Sequence, residues 1–168
     1  MKTAGILLCL LLLYSCSDQT KPLCDPEQIS TTFQEDRMIE IGLSTQFQFA
    51  FTIQEGEQTV FVYERTAAQC DDVNDDEYGE VLAFAVPLEH ETSAFEYKDE
   101  ELINLRCHYY EFGAWVNSSK QYAIRKGLIK GQKSGENEWY IQCSVLTDAI
   151  PEEGVPHAVE VNASFELK

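Results

Sequence analysis

The sequence predicts an all-β domain, an antiparallel β-sandwich or barrel of about 7–9 strands stapled by two disulfides. Three observations carry that expectation. Apolar residues recur with a period of two in segment after segment, no stretch keeps a 3.6-residue period long enough for a helix, and turn residues separate the segments.

The first strand is expected over residues 46–54, QFQFAFTIQ. Phe47, Phe49, Phe51 and Ile53 fall on one face there, with polar residues or Ala50 on the other. A Glu-Gly-Glu turn at residues 55–57 leads into a strand over residues 59–66. Further strands are expected over residues 80–88, 102–112, 122–130, 138–146 and 158–167. The last alternates without a break: Val159, Val161, Ala163, Phe165 and Leu167 point in, and Glu160, Asn162, Ser164 and Glu166 point out.

The same parity places two cysteines. Cys143 shares a face with Trp139, Ile141 and Val145, and Cys107 shares one with Ile103, Leu105 and Tyr109. Both thiols are therefore expected on the apolar side, where a Cys107–Cys143 bridge would contribute about 3–4 kcal/mol in the chain-entropy account. By elimination Cys24 pairs with Cys70, although four cysteines allow three connectivities. None of the spacings is a Cys-x-x-Cys pair of the kind that zinc and redox sites use.

The opposite end of the chain carries an address. Lys2, the apolar run ILLCLLLL at residues 6–13 and the small-residue site LYSC at residues 13–16 form an export signal, far shorter than the ~20 residues that span a bilayer. LYSC followed by Ser17 resembles the lipobox of bacterial lipoproteins. That resemblance implies removal of residues 1–15, acylation of Cys16, a cell-envelope location at the outer membrane and a membrane partner reached through the lipid. Two or three acyl chains make such an anchor stable where one does not. Export also explains the cysteines, because four remain for an oxidising compartment once Cys9 is cleaved away and Cys16 is acylated. Residues 16–37 are polar, contain Pro22 and Pro26 and read as a lipidated tether reaching ~25 Å. Residues 38–168 read as one β-rich domain.

Charge excludes one class of partner. The full sequence carries a net charge of −17, and loss of the signal removes Lys2 and no acid. Nucleic-acid affinity comes from neutralising phosphates with Lys and Arg, so nucleic acid is not expected as a ligand.

Two stretches are candidates for chemistry. CDDVNDDEYGE, residues 70–80, places Asp72, Asn74 and Asp76 at alternate positions, as in a calcium loop where side-chain oxygens converge on a hard cation. The EF-hand pattern fails where it needs Gly and a bidentate Glu, since Glu77 and Ala83 stand there. Glu77 and Glu80 would have to close a looser oxygen cage. A solvated loop is the favoured reading, with calcium the one cofactor to weigh and no other expected.

The second stretch is basic. Lys120, Arg125, Lys126, Lys130 and Lys133 crowd into fourteen positions with Tyr122 among them and Trp115 and Trp139 at the flanks. A basic hairpin on an acidic body would suit an anionic glycan, a lipid head group or an acidic protein partner in the envelope. AIRKGLIKGQKSGENEW, residues 123–139, with Gly127, Gly131 and Trp139, also resembles a strand–turn–strand unit of small β-rich lipoproteins of Gram-negative bacteria. The resemblance spans about the last sixty residues and implies a β-fold and an envelope location without an activity.

Catalysis finds little support in the residues. His90, His108 and His157 form no metal-ligand pair, and His108 next to Cys107 on a strand faces the other way. There is no GxSxG, HExxH or Gly-rich phosphate loop. The expectation is a non-enzymatic envelope lipoprotein with a binding or structural accessory role. A small surface hydrolase or an enzyme inhibitor is the alternative, because triads are recognised by geometry rather than by order in the chain.

Overall fold

Alternation becomes strand along most of this chain. The computed structural model describes residues 24–42, 51–70, 73, 78–89, 91–113, 120–148 and 155–168. Cys16 and the signal, the first half of the strand expected over 46–54, and Asp72, Asn74, Asp76 and Glu77 lie outside the described residues.

Two short strands, β1 (Cys24–Asp25) and β5 (Gln69–Cys70), pair antiparallel. The others are β2 (Gln28–Ile41), β3 (Phe51–Glu55), β4 (Gln58–Thr66), β6 (Tyr78–Val86), β7 (Ala94–Lys98), β8 (His108–Gly113), β9 (Lys120–Gly135), β10 (Glu138–Thr147) and β11 (Ala158–Leu167), and they form one nine-stranded sheet. Its order runs β10-β11-β2-β4-β6-β8-β9, and β9 pairs again with β10, so these strands close a ring. The sheet is mixed rather than purely antiparallel as expected, because β11 runs parallel to β2. β7, paired with β9 alone, and β3, paired with β2 alone, stay at its margins.

β2 begins at Gln28, inside the segment expected to be tether, and residues 28–37 pair with β4. Its alternation is hidden because a register shift between Gln34 and Arg37 breaks it: Phe33 is buried in the interior and Ile39 in a second cluster on the other face. The strand expected over 102–112 is also shorter. Its first half is a 3-10 turn (Asp99–Ile103) that buries Leu102, and Arg106 adopts a φ of 48° before β8 starts. β7, with Phe95 and Tyr97 turned inward, was not anticipated.

Rings fill the interior. Phe61 lies with its centroid 5.1 Å from Phe84, 6.0 Å from Trp139 and 5.8 Å from Phe165, and Phe33 stacks on it at 5.7 Å. Truncating such a hub to Ala typically costs about 3–5 kcal/mol. A second apolar layer lies outside the ring. β3 and β4 together run along β2, and at the kink the Gly56 N–H donates to the Asp36 carbonyl at 3.1 Å. A Cβ on Gly56 would stand 2.6 Å from Met38 Cβ, so the close approach requires glycine. Beyond the kink, Ile39 packs with Val60, Ala83 and Ala85, and Phe51 and Ile53 lie against the same cluster. Arg106 Nη1 pins this arm by donating to the Ile39 carbonyl at 2.6 Å.

One disulfide is present rather than two. Cys24 and Cys70 are bridged across 46 residues, worth about 4 kcal/mol in the chain-entropy account. Cys107 and Cys143 are both buried, as parity required, but they are free thiols. Sharing an interior is a weaker condition than the close approach, usually ~4.4–6.8 Å between Cα atoms, at which bridges form. Cys143 stands opposite Ile129 on β9, whereas the Cys107 carbonyl accepts from Ile124, five residues away on the same strand. Burial, and to a lesser degree Cys143, pushes the Cys107 thiol well up. Burial raises Cys143 to about 12, so neither is a ready nucleophile.

Candidate binding face

The strand register brings ionisable groups together at one end of the barrel. Arg65 on β4 stands opposite Glu80 on β6, and Glu80 stands opposite Glu111 on β8. Two carboxylates directly opposite each other repel unless something bridges them. Tyr109 is that bridge: its hydroxyl lies 2.7 Å from Glu80 Oε2 and 3.2 Å from Glu111 Oε1. Tyr78 donates to the same Glu111 oxygen at 2.9 Å. Arg65 joins Glu80 at 3.3 Å and reaches Glu27 at 2.8 Å. His157 Nε2 is 3.4 Å from the Tyr109 hydroxyl, and its ring stacks on Tyr109 with centroids 5.3 Å apart.

The protonation states follow from this packing. Burial first, and the hydrogen bond to Glu80 second, hold the Tyr109 phenol neutral far above its ordinary range. Burial pushes Tyr78 up to about 12. Arg65 is held charged by its hydrogen bond to Glu27, and Glu27 is lowered in return. Each of these groups is occupied by another, and the tyrosines are too weakly acidic to serve as proton donors near neutral pH. The constellation is a hydrogen-bonded plug.

The candidate cation cage divides here. Glu80, expected as a closing ligand, points into the barrel end and is engaged by Arg65 and Tyr109. Its four proposed companions lie outside the described residues. Among the described residues no group of three or more His, Cys, Asp or Glu side chains is placed to hold a metal ion.

The basic hairpin does not make a single basic face. β9 alternates, so its residues separate: Tyr122 is buried in the core, Arg125 is exposed and pairs with Asp148 at 3.4 Å, and Lys130 pairs with Glu96 at 2.9 Å. Lys126 is exposed, and Lys133 lines a cleft of about 110 Å³ at the far end of the barrel with Glu35, Asp36, Glu57 and Glu89. Lys120 occupies the register position opposite Glu111. Gly127, with φ 117°, sits just past the β9 register shift that lets Ile124 and Ile129 both face inward despite their odd spacing.

What β9 does present outward joins with its neighbours. The sequence places the inward residues of β10 and β11 correctly as far as Phe165, Leu167 being exposed, and the outward ones are therefore Glu138, Tyr140, Gln142, Ser144 and Leu146 on β10 and Ala158, Glu160, Asn162, Ser164 and Glu166 on β11. Register aligns them in transverse rows. Gln132, Tyr140 and Ser164 form one, Glu96, Lys130, Gln142 and Asn162 a second, and Leu128, Ser144 and Glu160 a third. Two shallow grooves of about 420 and 230 Å³ run side by side over these rows, and Lys130 and Gln142 line both. Tyr140 is 41% exposed. Sequence reasoning passed over this face because it looked for clustered charge, and its signal is the lack of it: neutral polar side chains outward on adjacent strands of a strongly acidic chain.

Comparison of the chain with protein-family models, with curated proteins and with solved structures gives no match.

Proposed function

We propose that the protein is an envelope lipoprotein, anchored through acylated Cys16, whose barrel serves as a binding module through the outer face of β7, β9, β10 and β11. One observation carries this reading. Among the described residues the side chains of Gln132, Gln142 and Asn162 have no hydrogen-bond partner, whereas the ionisable groups at the barrel end are bonded to one another. Hydrogen-bonding capacity left facing solvent on a rigid sheet is available to a ligand at little reorganisation cost. The filled interior supports the same placement, since aromatic rings occupy the space where a barrel would hold a guest.

The hydrolase alternative draws on Glu80 and Glu111, the adjacent carboxylates at the plugged end. Both are already held by tyrosine hydroxyls, which argues for the binding role.

The anchor and the face are tested separately. Cys16→Ala is expected to move the protein from the detergent phase to the aqueous phase, and an aqueous wild type would refute the anchor. For the face, immobilised barrel is exposed to solubilised envelope and to its polysaccharide fraction. Wild type should retain a ligand that the Gln132→Ala, Gln142→Ala, Asn162→Ala triple variant loses, and equal retention by both removes the face from consideration.

A further inference from the structure

The binding face differs from the rest of the molecule in charge. Its positions are Ala94, Glu96 and Lys98 on β7, Leu128, Lys130 and Gln132 on β9, Tyr140, Gln142 and Ser144 on β10, and Glu160, Asn162 and Ser164 on β11. Two lysines balance two glutamates in these three rows, with Lys126 in the next outward row on one side and Glu138 and Glu166 in the next on the other, and Lys130 and Glu96 neutralise each other at 2.9 Å. A patch without net charge on a chain of net charge −17 is poorly suited to a polyanion or a polycation.

The groups that remain have one chemistry in common. Gln132, Gln142 and Asn162 each offer an amide oxygen that accepts and an amide nitrogen that donates, and Ser144 and Ser164 offer hydroxyls that do both. A ligand matching them must itself carry many groups that donate and accept at close spacing. Vicinal hydroxyls do so. Tyr140 stands beside the row of Lys130, Gln142 and Asn162 with its ring exposed, an apolar surface with a polar tip on which the C–H face of a sugar ring can rest. The row from Glu96 to Asn162 crosses four strands, ~14 Å at the usual inter-strand spacing, and the two grooves continue one another across it. That shape fits a chain rather than a single small molecule.

We infer that the ligand of this face is an uncharged polysaccharide lying across β7, β9, β10 and β11, held by the amides of Gln132, Gln142 and Asn162 and by the ring of Tyr140. This inference rests on the face being the binding site proposed above.

The test is affinity electrophoresis of the purified protein through gels containing hydroxyethyl cellulose, arabinoxylan, galactomannan or dextran, with alginate and polygalacturonate as anionic counterparts. At least one neutral polymer is expected to retard the wild type. Tyr140→Ala and the Gln142→Ala, Asn162→Ala pair should each weaken that retardation roughly tenfold, the loss of about 1.4 kcal/mol of contacts. Retardation should persist at high salt, because a neutral ligand has no ion pairs to be screened as the Debye length falls from ~10 Å at 0.1 M to ~3 Å at 1 M. Retardation by the anionic polymers alone, by none of the polymers, or equally in the variants overturns the inference. If the triple variant loses an envelope protein or lipid while no polymer retards the wild type, the polysaccharide fails and the face stands. If the triple variant retains everything the wild type does, the face fails with it.

Discussion

At the plugged end of the barrel, Tyr109 shares its hydroxyl between two carboxylates and Arg65 divides its guanidinium between two more contacts. On the outer face of β10, Gln142 and its neighbours on β9 and β11 show their polar groups to water. Both regions are polar and both lie on regular strands, yet only the first involves burial. The difference teaches where polar residues hold a fold together and where they are left for a partner. A buried polar group must be paired because its desolvation is costly, whereas a solvated one can exchange water for ligand.

The contrast makes its largest demand on Tyr109. Tyr109→Phe keeps the ring and removes the hydroxyl, leaving Glu80 and Glu111 opposed without their bridge. It is expected to cost about 1–3 kcal/mol, measured by denaturant unfolding, because an acceptor at a desolvated position loses its donor. A neutral result would mean that water reaches this end of the barrel, and the distinction between plug and face would collapse.

A smaller effect is expected at alkaline pH. The folded protein raises the Tyr78 phenol to about 12 from an ordinary value of 10.0, so the neutral form is favoured in the folded state. Its contribution is fully present below pH 10 and is lost as pH rises towards 12. Unfolding free energy should fall across that window, and Tyr78→Phe should shallow the fall. The same slope in wild type and variant would assign alkaline loss to other groups.

The smallest effects belong to the face. Gln142→Ala and Asn162→Ala should each change stability by no more than about 0.5 kcal/mol, the range for surface positions outside special features. A substantial destabilisation by either would show that the face is structural and would remove the basis for reading it as a site.

Much of the fold was legible in the sequence. The strands at β4 and β6 and the faces of β10 and most of β11 follow from period two, and Cys107 and Cys143 were placed inside by the same rule. β2 escaped because a register shift between Gln34 and Arg37 switches its buried face, and the turn before β8 escaped because Leu102, in the 3-10 turn, and Leu105, just after it, are buried while Ile103 is exposed. Of the candidate face, only one cation survives in place. Lys130 lies in the grooves, while Tyr122 is core and Lys133 belongs to the opposite end.

Alternation along the chain is a local property, set by the two-residue repeat of the strand, and it determined the all-β class and the inside and outside of β10 and most of β11. Pairing between strands is not local. The closure of β9 on β10, the parallel contact of β11 with β2, and the meeting of Arg65, Glu80 and Glu111 depend on register between segments far apart in sequence. A bridge between two inward cysteines depends on it too, which is why Cys107 and Cys143 share a core without sharing a bond. The rows that join Gln132, Gln142 and Asn162 across three strands arise in the same way: each side chain's direction was written in its own segment, and its neighbours were chosen only when the barrel closed.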